Sequence, residues 1–376
     1  MTRDVCGAAA ASQQGSAASY RRAVHSPVVD IVIDNFDYGR FLGEAIDSAL
    51  AQTHALTRIT VVDDGSSDDS LVVARAYGER IRVIAKANGG QASALNAGAA
   101  ATAGDLVAFL DADDMLCPDF AAAAVDALDA RPDAVKAVFR ADVVDSAGAP
   151  TGRVEPSPHL PLAHGDLRAA TLTSAFDLVW PPLSAQIFRR SALMHVLPIP
   201  EDQFRTLADW YLAHTTSLLG PVVALEQAGA RYRLHGTNAY LLGAAGDSLT
   251  QIRTSIVHAE RTTVQLERIA RARGLIPPGR IEVSTVTVAR RLLSLRLDPG
   301  RHPLSGDRQW GLWAEALRSI RRQSGLEPRV RAGLLAWFSL AAVAPRPVVA
   351  RLAEPFLHPA KRGAIGRWIA TRRRRG

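Results

Sequence analysis

Apolar runs and polar turns alternate through the first 130 residues with a spacing that predicts strands and helices in turn. Val28 to Ile33 is a β-branched run broken only by Asp30, and it opens into Asp34-Asn35-Phe36-Asp37-Tyr38-Gly39, a strand and its exit loop. Phe41, Leu42, Ala45, Ile46, Ala49 and Leu50 then recur at helical spacing, which predicts an amphipathic helix able to lie across a sheet. Arg58 to Val62 and Ile81 to Ile84 read as two further strands. The first ends in Asp63-Asp64-Gly65-Ser66-Ser67-Asp68, where Ser67 or Asp68 can cap a following helix; the second ends in Lys86-Ala87-Asn88-Gly89-Gly90-Gln91, ahead of an Ala-rich helix reaching about Ala103. Leu106 to Leu110 has no polar break and predicts a buried strand that leaves the sheet at Asp111-Ala112-Asp113-Asp114. Strands alternating with helices through short turns predict a parallel sheet with right-handed crossovers.

Further on, a helix is expected from Asp119 to Ala130, a strand from Ala137 to Asp145, and loop from Gly152 to Gly165. Leu183 to Phe188 predicts another strand, and Leu207 to Leu219 a helix with Asp209 in its first turn, where the helix dipole favours a carboxylate. Val222 to Leu225 and Arg231 to Leu234 read as the arms of a hairpin around Glu226 to Ala230, followed by His235. After about residue 245 the apolar positions fit helices throughout. The last of these contains Ala332 to Ala344, a thirteen-residue apolar run too short to span a bilayer.

In sheets of this kind ligands bind beyond the carboxyl ends of the strands, and the acid and glycine clusters all fall at those ends. Asp34, Phe36, Asp63, Asp64, Asn88, Gly89, Asp111 and Asp113 are thus expected along one edge. Two carboxylates ~5 Å apart repel by roughly 3 kcal/mol at an effective dielectric near 20, so Asp111, Asp113 and Asp114 need an offsetting partner. Hard oxygen ligands at this spacing suit Mg²⁺ or Mn²⁺. The competing reading is that the three acids open a solvated loop. A dinucleotide-binding dehydrogenase would carry G-x-G-x-x-G after the first strand, where this chain has Asp34-Asn35-Phe36-Asp37.

Composition narrows the picture. The 376 residues are 48% hydrophobic, enough for a substantial core. The formal net charge is +7, yet Arg351 to Gly376 holds eight Lys or Arg against one acid, leaving 36 of each sign in the first 350 residues. The basicity belongs to the tail and gives no reason to expect specific nucleic-acid binding by the main domain. Cys6 and Cys117 are the only cysteines, which excludes a disulfide framework and suits a cytoplasmic location.

The ordered motifs resemble those of the family 2 glycosyltransferases of GT-A fold, which transfer sugars from nucleotide donors with inversion. The matching stretches are Ile31 to Tyr38, Ala45 to Thr53, Val61 to Asp68, Asn88 to Gln91 with Leu95 to Gly98, and Phe109 to Asp114. This resemblance covers residues 28 to about 240. It implies a GT-A-type (Rossmann-like) α/β fold, mostly parallel and sandwiched by helices, over 27–245. A disordered leader over 1–26, a helical extension over 246–330 and an apolar helix with a polybasic tail over 331–376 complete the expected division. It places Asp34 and Phe36 beside the base, Asp64 at the base edge, Asn88, Gly89 and Gln91 among the donor-binding residues, and Asp111 and Asp113 as the D-x-D pair, with Asp113 the direct metal ligand and Asp111 nearer the ribose. His235 resembles the family's late His, which reaches the metal or diphosphate. The family's Glu-Asp motif falls at Ala208-Asp209, so Asp209 is the candidate base and the Glu is missing.

The implied activity is a metal-dependent (Mn²⁺ or Mg²⁺) inverting transfer from a UDP-sugar to a hydroxyl of a glycan, lipid-linked or small-molecule acceptor, in assembly of cell-surface or extracellular glycans. Trp180, Trp210, His159 and His164 are candidates for the acceptor side. The tail, with the 332–344 run, is expected to reach an anionic membrane surface as a peripheral contact on the inner face of the cell membrane. Two alternatives stand beside this: an inactive sugar-nucleotide-binding scaffold at the membrane, to which Ala208 is the pointer, and a nucleotidyltransferase, which would need a basic Gly-rich loop after the first strand.

Overall fold

A computed structural model describes residues 26–236, 248–275, 281, 284–323 and 326–357. The first half alternates as expected. Strands β1 (Val29–Asn35), β2 (Thr57–Asp63), β3 (Arg82–Ala85) and β4 (Leu106–Asp111) are linked by helices α1 (Gly39–Leu50), α2 (Ser70–Arg75) and α3 (Gln91–Ala100). All four strands pair in parallel, in the order β3-β2-β1-β4. Side chains alternate across this block. Ile31, Ile33, Ala108 and Leu110 face a core that includes Leu42 and Ile46 of α1, whereas Val32, Val62, Val107 and Phe109 face one that includes Leu95 of α3. Both faces are therefore covered, which is why these strands read as unbroken apolar runs.

Beyond β4 the sheet becomes mixed. A two-residue β5 (Met115–Leu116) precedes α4 (Phe120–Asp129), and β6 (Lys136–Val144) turns back through Ser146-Ala147-Gly148 into β7 (Pro150–Glu155). The start of the stretch expected as loop is thus a strand paired with β6. After α5 (Arg168–Ser174), β8 (Gln186–Arg189) inserts antiparallel between β4 and β6, followed by α6 (Arg190–Leu193) and α7 (Ala208–Thr216).

The expected hairpin over 222–234 is not formed. Val222–Arg233 is one twelve-residue strand, β9, parallel to β6 and antiparallel to β5. The turn-like residues in its middle form an irregularity instead: Phe139 pairs with Leu225, Arg140 with Ala228 and Ala141 with Ala230, so extra residues bulge from β9. The displaced Glu226 takes an ion pair from buried Arg140, which satisfies a charge that would otherwise be stranded.

The helical remainder packs directly on this body. Leu266, Ile269 and Ala270 of α8 (Ser248–Ala272) share one core with Tyr211 and Leu212 of α7. Next, α9 (Thr285–Leu297), α10 (Gln309–Arg322) and α11 (Pro328–Val343) bundle around Leu292, Leu312, Ile320 and Phe338, with α12 (Arg346–Leu357) alongside. The 332–344 run is thus a bundle helix: α11 buries Phe338, Ala341 and Ala342 and leaves Leu340 and Val343 exposed. Among the described residues no helix is long and apolar enough to cross a membrane. The leader and the polybasic tail from residue 358 lie outside the described residues.

One glycine tests this packing. A Cβ on Gly98 in α3 would stand 2.2 Å from Cγ1 of Val32 and 3.2 Å from Cγ2 of Val62. Neither branched side chain can swing away in a filled core, so Gly98→Ala is expected to destabilise by about 1–3 kcal/mol despite the gain in helix propensity. Urea unfolding checks this, and an unchanged or higher midpoint contradicts it.

Candidate active site

The parallel register converts sequence spacing into a site. Asp34 sits opposite Asp111 across β1 and β4, and Asn35 opposite Asp63 across β1 and β2. The next turns are held by their own acids. Asp63 accepts from Asn35 Nδ2 at 3.0 Å and from the Ser66 amide at 3.1 Å. Both oxygens of Asp64 accept from the loop after β3: Lys86 Nζ at 2.6 Å, the Gly89 amide at 3.0 and 3.1 Å, and the Gly90 amide at 2.6 Å. Asp64 thereby fixes the Asn88-Gly89-Gly90 loop against the sheet edge. Gly90 is obligatory there, with φ +88° and a would-be Cβ 2.5 Å from the Arg205 carbonyl oxygen.

A cleft of about 1540 Å³ opens above this edge, lined by Asp34, Phe36, Asp64, Asn88, Gln91, Asp111, Asp113 and Asp209. Phe36 is 46% exposed, an open ring available for stacking. Gly89 lies behind the wall, holding Asp64, and His235 reaches the site through Asp113, with Nε2 2.8 Å from Oδ2. The His235 ring is buried against Tyr38 and Phe41, which fixes its direction.

Asp111, Asp113 and Asp114 each present an oxygen within 4.8 Å of the others, a set that could hold a metal ion. Their surroundings separate their roles. Asp114 is buried and already occupied, accepting from the Arg233 amide at 2.9 Å and Ser184 Oγ at 2.7 Å. It braces β4 against β9. Asp111 and Asp113 line the cleft, and Asp34 Oδ1 beside them is shielded from solvent with no partner among the described residues. Burial, then the charge of Asp113, pushes the Asp34 carboxyl up to about 7; burial and the neighbouring carboxylates raise Asp111 well above its usual range. Crowded carboxylates that resist ionisation, all hard oxygen donors, fit a divalent cation of the Mg²⁺ or Mn²⁺ kind.

Asp209 reaches the cleft from outside the sheet. It lies in the first turn of α7, after Leu207 in a left-handed conformation at φ 59°. Burial pushes its carboxyl up to about 6, and Oδ1 has no partner among the described residues. Gln91 ties it to the acids: its Oε1 accepts from the Ala208 amide at 3.0 Å, its Nε2 lies 3.4 Å from Asp111, and its own amide donates to the Arg205 carbonyl at 2.9 Å. Ala208 itself is fully buried in the apolar core beside Phe188 and Tyr211. A Glu there would strand a carboxylate among apolar side chains, so the missing Glu reflects how this helix packs.

Past Asp209 the cleft is aromatic. Phe176 stacks on Trp210 at 5.7 Å, and His214 and Trp180 close the wall. Burial holds His214 down at about 4, so its ring is neutral, and its Nδ1 is hydrogen-bonded to the Trp210 carbonyl at 2.7 Å. Trp180 Nε1 is a shielded donor with no partner among the described residues. Beneath them Lys136 is wholly buried, its Nζ donating to Gln186 and the Ala213 carbonyl at 3.1 and 2.9 Å and lying 3.7 Å from the Trp180 ring centre. Burial pushes its ammonium well below the lysine range. Of the expected acceptor residues, Trp180 and Trp210 line the cleft. His164 instead accepts the Ala224 amide at 3.1 Å, and neither it nor His159 belongs to the lining. Sequence reasoning missed Phe176, Lys136, Ser184, Arg205 and His214; the one available signal was Lys136 and Arg140 standing inside an otherwise apolar strand.

A sheet covered on both faces, with acids at its edge and Asp209 of α7 lining the same cleft, fits a glycosyltransferase of GT-A type. The model of the glycosyl transferase family 2 matches residues 30–194. An uncharacterized glycosyltransferase of Nostoc sp. (strain PCC 7120) is 36% identical over 224 residues, 58% of this chain and 69% of the relative. One from Rickettsia prowazekii is 40% identical over 99 residues, 26% of this chain and 31% of the relative, so the chain spans under a third of that protein. A crystal structure of S. aureus TarS 1-349 superposes with a TM-score of 0.50 at 15% identity, over 88% of this chain and 91% of that one. The chain belongs to glycosyltransferase family 2. Its fold is mixed-sheet GT-A followed by a helical region, and its activity is glycosyl transfer, which sets aside the nucleotidyltransferase alternative.

Proposed function

We propose that the chain moves a sugar, with inversion and with Mn²⁺ or Mg²⁺ bound, from a nucleoside-diphosphate donor, UDP-sugar by preference, to a hydroxyl of a glycan in cell-surface assembly. The observation that carries this reading is that one cleft is lined by both the Asp111–Asp113 pair and the buried Asp209, whose Oδ1 has no partner among the described residues. Phe36 offers a ring to the base, and Asp34, Asp64 and the loop from Asn88 to Gln91 form its surroundings. Asp113 and Asp111, with His235 orienting Asp113, would hold the metal. Bound there, a divalent cation supplies Lewis-acid stabilisation of the charge building on the diphosphate. Asp209 takes the proton from the acceptor hydroxyl as the nucleophile attacks the anomeric carbon. The aromatic wall suits a glycan, since sugar rings present apolar faces to stack on indole and phenyl groups. The tail from residue 358 and the exposed Leu340 and Val343 support a peripheral contact with an anionic membrane on the cytoplasmic side.

Calorimetric titration of UDP with and without Mn²⁺ tests the donor reading. Micromolar binding that weakens at least about tenfold on chelation is expected. Equal binding in EDTA contradicts the metal role, and no binding of UDP alongside binding of GDP or TDP contradicts the base preference.

A further inference from the structure

The helical region beyond residue 245 also reaches the cleft. Thr254 of α8 and Arg290 of α9 both line it. Their position follows from packing: α9 lies on α8, and α8 lies on α7, whose first turn carries Asp209 and Trp210. Arg290 therefore joins the lining from the helices stacked on α7, the helix that carries Asp209 and Trp210.

Arg290 differs from its neighbours in what it touches. On the same helix, Arg291 is buried against Asp307 and Glu315, and Arg296 donates to Gln309 and the Ala344 carbonyl. Elsewhere in the lining, Arg205 donates to Asn88 and Arg153 pairs with Glu155. Arg290 is half-buried and makes no hydrogen bond or ion pair among the described residues. A guanidinium partly withdrawn from water loses hydration that no hydrogen bond or ion pair among the described residues returns, and its planar fork matches a carboxylate or phosphate.

We infer that Arg290 is a specificity-determining residue that makes the helical region part of the acceptor site and selects an acceptor bearing a carboxylate or phosphate beside the sugar ring that packs on Phe176 and Trp210. This rests on the glycosyl-transfer reading of the cleft and assigns the chemical class of the acceptor within it. The proposed function puts the donor's own phosphates at the acid pair, so the anion Arg290 meets is a second one. A neutral sugar would fill the aromatic wall and leave the guanidinium without its partner, so discrimination comes from the contact that only an anionic acceptor makes.

The test titrates three probes into the full chain, following tryptophan fluorescence, with and without UDP and Mn²⁺: methyl β-glucuronide, glucose 6-phosphate and methyl β-glucoside. One or both charged probes are expected to bind at least about tenfold more tightly than the glucoside, as a charge-assisted hydrogen bond requires. Preference for the glucuronide assigns a uronic acid acceptor, and preference for the phosphate a phosphorylated one. Arg290→Gln is expected to abolish that preference, with glucoside and UDP affinities unchanged, and Arg290→Lys to restore part of it. Charged probes no tighter than the glucoside, or a preference that survives in Arg290→Gln, overturn the inference. Loss of UDP affinity in Arg290→Gln also overturns it, by moving Arg290 to the donor side. The arms without UDP decide on Arg290 whatever the nucleotide does, so a failure of the UDP reading is separable. Arg290 makes no hydrogen bond or ion pair among the described residues, so both variants are expected to keep a melting temperature close to that of the wild type.

Discussion

Asp209→Asn is expected to lower kcat by about 10²- to 10⁴-fold while leaving the affinity for UDP within about twofold. The substitution keeps the shape of the side chain and removes only its ability to take a proton. Asp209 is suited to that task because burial pushes its carboxyl up to about 6, nearer to working pH than a free aspartate. A base acts in its ionised form, so the wild-type kcat/KM is expected to fall as pH drops through about 6, approaching tenfold per unit below it. In Asp209→Asn that acidic limb should vanish from whatever activity remains. Gln91 gives a milder test of the same assignment: Gln91→Ala removes the acceptor for the Ala208 amide and the link to Asp111, and is expected to lower kcat more than it raises the KM for donor. A full-strength Asp209→Asn, or one whose rate loss is matched by lost UDP binding, would move the base elsewhere on the cleft.

The edge of acids was legible in the sequence because it depends on two strong regularities. Unbroken apolar runs mark strands covered on both faces, and a parallel sheet sends every such strand out at one edge. Asp34, Asp64, Asp111 and Asp113 were placed by those rules, and the register that sets Asp34 opposite Asp111 bears them out. The second half obeyed weaker rules. A bulge and a hairpin both call for polar residues and glycine within a β-rich run, so Glu226 to Ala230 gave no local sign that β9 would run on through a bulge with Glu226 paired to Arg140. Nor does any local pattern announce that β8, far along the chain, inserts between β4 and β6. The aromatic wall was half visible, as Trp180 and Trp210, while Phe176 and His214 join it only through the packing of α5 and α7. Arg290 lies in a helix whose periodicity describes the bundle and carries no trace of the cleft.

Asp113→Ala is expected to abolish the Mn²⁺-dependent part of UDP binding and to reduce turnover at least about 10³-fold, since metal stabilisation of the leaving charge is worth several kcal/mol. The choice of Asp113 over its neighbours follows from what each already holds. Asp114 is occupied by Ser184 and the Arg233 amide, so its loss would damage the fold, and Asp111 is tied to Gln91. Asp113 faces the cleft and is oriented by His235 at 2.8 Å. The same variant carries a second expectation of opposite sign. Its charge is the main electrostatic cause of the raised Asp34 carboxyl, and three further acids lie nearby. Without metal, removing one carboxylate from this group relieves repulsion of order 1 kcal/mol or more, so the melting temperature measured in EDTA should rise by a few degrees. Added Mn²⁺ should then stabilise the wild type and leave Asp113→Ala unmoved. A variant that loses activity because it misfolds would melt lower in both conditions, whereas one that has lost a metal ligand melts higher in EDTA and ignores the ion. The crowding of acids at the end of β4 would then be a cost the fold carries for its chemistry, and its relief in the variant is the measurement that separates the two causes of an inactive enzyme.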